Sequence, residues 1–207
     1  MKFRLYHTPR LLRLFYRRDA IWQIPTNKKE LFLTFDDGPT PEITQWILKL
    51  LEKYGVHATF FCVAENAMKY PDIFNDIKLK GHTIGNHTYN HLNGWETDDV
   101  TYAENIDKAN EIIKSLLFRP PYGRIKRTQA KSLNRLNYKV VLWSILTYDF
   151  DRNLNRNKAW SQIQKHTKPG SILVFHDHQK AFENLKELLP KTLEYFSGQG
   201  FSFENLK

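Results

Sequence analysis

The stretch LFLTFDDGPTPEIT, residues 31–44, joins a β-strand pattern to a helix start through two adjacent aspartates. Its first five residues are apolar or β-prone, and Thr40 followed by Pro41 has the pattern of a helix N-cap with proline at the first helical position. Neighbouring carboxylates repel one another, and solubility does not require such a pair where a buried strand ends. Asp36 and Asp37 are therefore candidates for a chemical role.

Beyond this stretch, strand and helix patterns alternate along the chain. They predict further strands at 58–64, 82–86, 139–145, 171–175 and 201–203, and helices near 41–54, 71–80, 98–116, 130–136, 159–165 and 185–193. Thr97 is expected to cap the longest helix, with Val100 and Leu116 on its core side, and the last helix is expected to be kinked or split at Pro190. Six or seven β-α units in one domain favour parallel strands wrapped by helices, in a closed or nearly closed barrel.

The composition indicates one globular domain preceded by a basic segment. The 207 residues are 41% hydrophobic and 26% charged, which is ordinary for a soluble protein. Residues 1–29 carry eight Lys or Arg against a single Asp, whereas the rest of the chain is nearly balanced in charge. We therefore divide the chain into this basic N-terminal segment, packed on or flanking the domain, and a domain over residues 30–207.

Within the basic segment, RLLRLFYRR (10–18) places leucines on one helical side and arginines on another. Such a helix could make weak contact with an anionic membrane surface, or it could pack on the domain with its arginines in water, and its short length favours packing. Arginines interrupt every apolar run and no small-residue cleavage site follows, so a cleavable signal peptide is not predicted. We expect no transmembrane segment and no nucleic-acid partner, and a protein that is cytoplasmic or peripheral at the membrane.

Cys62 is the single cysteine of the chain. One cysteine excludes an intramolecular disulfide framework and a multi-cysteine zinc site, and it gives no sign of an oxidising compartment. Because Cys62 lies in the apolar stretch ATFFCVA, a buried and inert thiol is favoured over a nucleophile.

The stretch NHTYNH, residues 86–91, places two histidines four residues apart. On a turn of helix, His87 and His91 would project from one face and could bind one metal ion, although polar surface histidines show the same spacing. Together with Asp37 they make a three-ligand set with room for water, as in a catalytic zinc site. The residue after His87 is not the glutamate of the zincin pattern, so a base must come from elsewhere, and Asp36 is the nearest acid.

Further polar clusters occur at other predicted strand ends. RPPYG, residues 119–123, offers Arg119, which is suited to bidentate binding of a carboxylate, and a stiff loop whose N–H groups could face an oxyanion. The strand SILVF is followed by HDH, and its first histidine, His176, could serve as a general acid oriented by Asp149. Taken singly, each cluster is also typical of an ordinary surface, but five of them at five strand ends favour a common site.

In order along the chain, these residues resemble the five motifs of the carbohydrate esterase family 4 polysaccharide deacetylases, the NodB-homology domain. TFDDG resembles the first motif, HTYNH the second, RPPYG the third, the Asp-Phe pair at 149–150 the fourth, and the strand end at His176 the fifth. The motifs extend over residues 34–176, which is most of the chain.

The resemblance implies a distorted (β/α) barrel of about seven parallel strands wrapped by helices. It also implies metal-dependent removal of acetyl groups from N-acetylated sugars, in which a metal-bound water attacks the acetamide carbonyl. Asp37, His87 and His91 would bind one divalent ion, with Zn²⁺ favoured and Co²⁺ or Ni²⁺ able to substitute.

The resemblance further implies a role for each remaining residue. Asp36 would be the general base, and Arg119 would hold it in place. The Tyr122 N–H would help to bind the oxyanion. His176 would be the general acid, steered by Asp149.

Three positions depart from the family pattern. Leu146 stands where the fourth motif often has an additional aspartate, Phe150 replaces its usual tryptophan, and Val174 replaces the leucine two residues before the last histidine. All three concern the wall of the acetyl pocket or the leaving-group side, so they bear on the substrate more than on the reaction.

Three functions are compatible with the sequence. The leading one is an amide deacetylase acting on a glycan or glycoconjugate that contains N-acetylglucosamine. The others are an O-acetyl esterase on acetylated polysaccharide and a catalytically silent carbohydrate-binding domain, and the complete set of base, metal ligands, arginine and acid argues against the silent domain. The sequence does not indicate the sugar or the oligomeric state.

Overall fold

Seven parallel strands curl into a half-barrel at the centre of the fold. The computed structural model describes residues 4–9, 13 and 19–207. Its strands are β1 (Glu30–Asp36), β2 (Thr59–Cys62), β3 (Thr83–Asn86), β4 (Leu117–Phe118), β5 (Lys139–Val140), β6 (Ile145–Leu146), β7 (Ile172–His176) and the additional β8 (Ser202–Phe203), which pairs with β1. The order β5-β4-β3-β2-β1-β7-β6 follows the chain around a barrel that, within the described residues, stays open between β5 and β6. The predicted distorted (β/α) barrel is confirmed.

Seven helices lie within residues 19–207 and wrap the strands. They are α1 (Ile43–Tyr54), α2 (Ala64–Lys69), α3 (Pro71–Leu79), α4 (Asp99–Ile113), α5 (Arg127–Arg135), α6 (Arg156–His166) and α7 (Phe182–Gly198). A short 3₁₀ turn, Pro121–Gly123, follows β4. All the helices predicted within residues 19–207 are present, and among the helices of this range only α2 has no counterpart in the sequence prediction.

Two predicted helix N-caps are wrong, because an acidic residue just downstream takes the capping position. The N-cap of α1 is Glu42, which forms a capping box with Gln45, rather than Thr40. The N-cap of α4 is Asp98, whose side chain accepts two backbone N–H groups, rather than Thr97. At α4 the Asp98 carboxylate satisfies two free N–H groups of the first turn, and at α1 the Glu42 N–H donates to the Gln45 side-chain oxygen at 3.1 Å.

Two further expectations about the helices are also wrong, those for the longest helix and for the core side of α4. The longest helix is α7, with 17 residues against 15 in α4, and it is not split at Pro190. The leucines of α7 on both sides of the proline are fully buried, so packing on the core outweighs the backbone hydrogen bond that proline removes. Val100 and Leu116 are 67% and 49% exposed, because Tyr102 and Ile106 form the buried side of α4.

The predicted strand 139–145 is divided into β5 and β6 by a side chain from elsewhere in the barrel. The carbonyl oxygens of Val141 and Leu142 accept hydrogen bonds from the Nε and Nη2 atoms of Arg119, both at 3.2 Å. Two carbonyl groups thus serve a buried guanidinium, and the regular strand is interrupted there.

Alternate residues of β1 face two different surroundings, and this alternation positions the site. Leu33 and Phe35 pack in the layer between the sheet and the helices, where the Phe35 ring stacks on Phe60 with 4.9 Å between centroids. Phe32 packs with Phe61 in a second cluster on the inner face of the half-barrel. Asp36 belongs to this inner face, because side chains along a strand alternate with a period of two.

Cys62 is buried in β2, as predicted, and burial raises the pKa of its thiol well above the usual range. A thiol of this kind is a core residue and a poor nucleophile.

The parallel strands direct all their carboxyl ends to one end of the barrel, and the predicted site residues lie there.

Residues 4–9 run beside β6. The Tyr6 carbonyl accepts the Leu146 N–H at 3.0 Å, and the Thr8 N–H donates to the Ser144 carbonyl at 3.1 Å. The stretch RLLRLFYRR lies outside the described residues apart from Arg13, so its packing and the domain boundary at residue 30 stay predictions. Across the described parts of the chain, no helix combines the length and the apolarity needed to cross a bilayer.

Candidate active site at the carboxyl ends of the strands

The end of β1 brings both aspartates to one cavity of about 820 Å³. Asp36 is the last residue of β1, and its side chain continues the inner face of the sheet. Asp37 has a left-handed backbone conformation, with φ 86°. Continued strand alternation would direct its side chain to the opposite face, whereas the turn lets it line the same cavity.

Asp177, in the loop after β7, holds this turn in place. The Gly38 N–H donates to its Oδ1 at 2.8 Å, and the Thr44 hydroxyl donates to its Oδ2 at 2.6 Å. A Cβ atom on Gly38 would lie 1.8 Å from Oδ2, so only glycine fits against this carboxyl group. Burial raises the pKa of Asp177 to about 7, against the opposing effect of the Thr44 and Gly38 hydrogen bonds.

The structure brings together Asp37, His87 and His91, the predicted metal ligands. One ligand atom of each lies within 4.8 Å of the other two. The Nε2 atoms of His87 and His91 lie 3.4 and 3.0 Å from Oδ1 of Asp37. The expected helical turn is wrong: residues 87–91 form a non-helical turn in which Thr88 and His91 have φ values of 67° and 61°.

The Nδ1 atoms of His87 and His91 are hydrogen-bonded, and these bonds leave the Nε2 atoms to bind a metal ion. Nδ1 of His87 lies 2.7 Å from the Arg119 carbonyl, which can only accept, so in the neutral ring Nδ1 carries the proton and Nε2 holds a lone pair. Nδ1 of His91 lies 3.1 Å from the Tyr122 hydroxyl. Two oriented imidazoles and one carboxylate fit a divalent ion such as zinc, with a coordination position left for water.

The charge state of Asp37 suits the same role. Burial alone would raise the pKa of this carboxyl group, but the nearby His87 and His91 outweigh burial and hold the pKa well below its usual range. The carboxylate is therefore charged at neutral pH and can act as a ligand without first losing a proton.

Asp36 is paired with Arg119 across the inner face of the barrel. Nη1 of Arg119 donates to Oδ1 of Asp36 at 2.7 Å and to the Thr34 hydroxyl at 2.6 Å. The bidentate grip expected from the sequence is wrong, because the remaining donors of the guanidinium bind the two carbonyl groups between β5 and β6. Arg119 is completely buried, and its guanidinium lies 4.1 Å from the centroid of the Phe61 ring.

His176 ends β7, and Asp149 lies beside it. Nδ1 of His176 is 2.7 Å from Oδ1 of Asp149, and the His176 backbone N–H donates to Oδ2 at 2.8 Å. Burial alone would lower the pKa of His176, but the Asp149 carboxylate more than offsets it and the pKa is raised to about 9. Because Asp149 occupies Nδ1, Nε2 is the ring nitrogen left to act in the cavity that His176 lines.

Tyr122 stands at the rim of the cavity. Its side chain is 61% exposed, and its ring lies edge-on to His91 with 4.6 Å between centroids. Its backbone is left-handed, with φ 61° and ψ 5°.

The three positions that depart from the family pattern all line the same cavity. They are Leu146, Phe150 and Val174. The Phe150 ring lies edge-on to His176, with 4.9 Å between centroids. These side chains therefore form an apolar wall next to the acid candidate.

Sequence reasoning did not assign two residues that the structure places at the site. Asp177 binds the turn of the two aspartates, and Nε2 of His178 lies 3.3 Å from Oδ2 of Asp37. Burial lowers the pKa of His178. Both follow His176 directly in the sequence, so the signal that could have found them is a run of polar residues immediately after a buried strand.

Comparison with known proteins identifies the family of the chain. The sequence profile of the family described as polysaccharide deacetylase matches residues 23–141. A peptidoglycan-N-acetylglucosamine deacetylase of Bacillus cereus is 36% identical over 178 residues, which cover 81% of this chain and 64% of the relative. A chitooligosaccharide deacetylase of Azorhizobium caulinodans is 30% identical over 162 residues, which cover 75% of this chain and 77% of the relative.

Among solved structures, a peptidoglycan N-acetylglucosamine deacetylase in complex with a substituted N-oxidanyl-benzamide is similar at a TM-score of 0.87 and 33% identity. The similarity covers 94% of both chains. By contrast, the chain spans just under two thirds of the Bacillus cereus relative's length, at 64%. The family profile covers more than half of the chain, and its match includes three of the five motifs. The chain belongs to the polysaccharide deacetylases of carbohydrate esterase family 4.

Proposed function

We propose that this protein is a metal-dependent hydrolase that removes acetyl groups from N-acetylated sugars, in a glycan or glycoconjugate that contains N-acetylglucosamine. The observation that carries the proposal is the convergence of three groups on one cavity: a metal-ligand set, a carboxylate held by a buried arginine, and a histidine held by a carboxylate. Amide hydrolysis needs all three, because the water must be activated and the amine must be protonated as it leaves.

Asp37, His87 and His91 would hold the divalent ion, and two imidazole ligands favour Zn²⁺, with Co²⁺ or Ni²⁺ as substitutes. A bound ion would supply Lewis acidity to the attacking water and to the acetyl carbonyl oxygen. The chain itself contributes the charge of Asp37 and the fixed orientation of both rings, through the Arg119 carbonyl and the Tyr122 hydroxyl.

Asp36 is the proposed general base. Arg119 holds its Oδ1, and among the described residues no other side chain hydrogen-bonds to this carboxylate, so Oδ2 is left to take a proton from the attacking water. Arg119 is itself anchored by Thr34 and by two backbone carbonyls. The orientation of the proposed base therefore depends on contacts within the barrel.

His176 is the proposed general acid. A pKa of about 9 keeps the imidazole protonated at neutral pH, so Nε2 can donate a proton to the amine nitrogen as the bond to the acetyl carbon breaks. Asp149 fixes the ring through Nδ1 and stabilises its positive charge. The Tyr122 N–H is the proposed second stabiliser of the oxyanion, since this residue lines the cavity beside the ligand His91.

The shape of the site supports a polymeric or oligomeric substrate. A second cavity of about 480 Å³ adjoins the first, and the two share Asn90, His91 and Tyr122. The second cavity continues past Asn93 to Arg124, which leaves room for sugar residues next to the one that is deacetylated. The relatives named above act, by their names, on peptidoglycan and on chitooligosaccharide, and both are chains of N-acetylated sugars.

Metal content and acetate release test this proposal together. Elemental analysis of protein loaded with zinc is expected to give one ion per chain, and acetate is expected from peptidoglycan fragments or chitooligosaccharides but much less from acetylxylan. His91→Ala, which removes a ligand at the cavity rim, is expected to lose both metal and activity. A chain that takes up no zinc, or that releases acetate from acetylxylan alone, would refute the proposal.

A further inference from the structure

His178 lies beside the proposed metal ligands and has no part in the mechanism above. It follows β7 in a turn, it lines the cavity, and 24% of its side chain is exposed. Its Nε2 lies 3.3 Å from Oδ2 of Asp37, whereas His87 and His91 approach the other oxygen, Oδ1. The Asp37 carboxylate thus has histidines at both of its oxygens.

The proton of His178 can be placed from the hydrogen bond at the other side of its ring. Nδ1 accepts the Lys180 backbone N–H at 3.0 Å. Because a backbone N–H can only donate, Nδ1 presents its lone pair, and the neutral ring carries its proton on Nε2. The arrangement at His87 is the reverse, since Nδ1 of that residue faces a carbonyl oxygen.

We propose that His178 is a positioning residue of the metal site: its Nε2–H faces Oδ2 of Asp37 at 3.3 Å and, by attracting that oxygen, directs Oδ1 toward the ion, and it is not itself a ligand. A protonated Nε2 has no lone pair to offer a cation. Consistently, the ligand atoms that gather within 4.8 Å belong to Asp37, His87 and His91. The inference rests on the metal site of the proposed function, but it makes a separate statement about which histidines bind.

The physical consequence is a carboxylate whose rotation is restricted. With Oδ2 held by this contact, Asp37 offers Oδ1 in a preferred direction, and less side-chain freedom is lost when the ion binds. Loss of such a supporting partner typically weakens metal binding by about 10- to 100-fold. His178, in the turn that follows β7, would thus raise metal affinity without binding the ion.

Zinc titration of the full chain, by competition with a chromophoric chelator, tests the inference without any substrate. His178→Phe keeps an aromatic ring and removes both nitrogens, so affinity is expected to fall by about 10- to 100-fold. His178→Gln keeps an amide N–H near the position of Nε2 and is expected to restore most of the loss. His57→Phe, at an exposed histidine that does not line the cavity, is the matched control and should bind zinc like the wild type.

A second measurement separates a positioning residue from a ligand. The visible absorption of Co²⁺-loaded protein reports the coordination geometry of the ion, and it is expected to be the same in the wild type and in His178→Phe at saturating Co²⁺. A changed spectrum, or a variant that loses the metal as completely as His87→Ala does, would make His178 a ligand and overturn the inference. Unchanged zinc affinity in His178→Phe would overturn it too. Failure of the wild-type chain to bind any metal would instead refute the proposed function, and this inference with it.

Discussion

Replacing Asp36 with asparagine tests the proposed base and the buried pair that it forms with Arg119. The substitution keeps the shape of the side chain and removes its charge. The two side chains are 5% and 0% exposed, so the guanidinium would stay buried without the charge that compensates it. Breaking a buried ion pair by removing one partner destabilises a fold by about 3–5 kcal/mol.

The lower end of this range is expected here, because the asparagine oxygen can still accept the hydrogen bond that Nη1 of Arg119 gives to Oδ1 at 2.7 Å. In a domain of this size, a loss of about 3 kcal/mol lowers the melting temperature by about 6–12 °C. Turnover is expected to fall by about 10²- to 10⁴-fold, because an amide cannot take the proton of the attacking water. Zinc affinity is expected to stay the same, since Asp36 is not among the gathered ligand atoms.

Three assays on Asp36→Asn separate these effects: thermal unfolding followed by circular dichroism, zinc titration, and acetate release from a chitooligosaccharide at a temperature well below unfolding. Glu52→Gln is the matched control, because it removes the same charge from an exposed pair with Lys80 at 2.8 Å, and surface pairs contribute little. A variant that keeps most of its turnover, or loses zinc as Asp37→Asn should, would contradict the assigned roles. A melting temperature equal to that of the control would contradict the energetic argument.

The remaining predictions concern the acid and the turn of the two aspartates. His176→Ala is expected to slow deacetylation of an N-acetylated sugar far more than hydrolysis of an activated acetate ester, whose leaving group needs no proton; equal losses in kcat would exclude the acid role. In the wild type, the rate of amide hydrolysis is expected to fall as the pH rises through about 9, where His176 loses its proton. A pH–rate profile without this fall would contradict the acid role of His176. The same raised pKa means that protonated His176 stabilises the fold, fully at a pH below its ordinary pKa of 6.5 and progressively less as the pH rises to about 9. Melting temperatures of the wild type and His176→Ala, measured across this pH range, test this contribution. Gly38→Ala is expected to lower the melting temperature, because the new Cβ would lie 1.8 Å from an Asp177 oxygen, whereas Gly198→Ala, with no atom within 4 Å, serves as the control.

The sequence was sufficient to predict which strand ends meet. Parallel strands share one carboxyl end, so polar residues that follow apolar strands gather at the same place, and Asp36 and His176 lie at the ends of adjacent strands for this reason. The periodicity of the helices could be predicted as well, because buried faces repeat every three or four residues. These features depend on local pattern and on a general rule of topology.

The local geometry of the site could not be predicted, because it depends on contacts between distant residues and on rare backbone conformations. The Arg119 side chain donates to two residues 83 and 85 positions earlier in the chain and to two carbonyl groups 22 and 23 positions later, and no local pattern shows that its donors would be divided between these two regions. The two histidines meet on a turn with left-handed residues at Thr88 and His91, not on a helix. Residues other than glycine seldom adopt that conformation, so spacing alone favoured the wrong local structure.

The site divides into a part held by the sheet and a part held by turns. Asp36 and His176 are direct partners in the register of β1 and β7, and adjacent parallel strands lie about 4.8 Å apart. The Asp177 N–H donates to the Asp36 carbonyl at 3.1 Å, which extends the ladder beyond both residues. The separation of the proposed base and acid is therefore determined by the backbone hydrogen bonds between these strands.

The proposed metal ligands, by contrast, come from turns. Asp37 follows β1, and His87 and His91 belong to the turn after β3, so their spacing depends on a few backbone angles and on the groups that hold their side chains. If the proposed roles are right, substitutions in the turn after β3 can change metal affinity while Asp36 and His176 keep their positions. A substitution in the core of β7 would instead move His176 relative to the ligand set and would be expected to affect turnover before it affected metal binding.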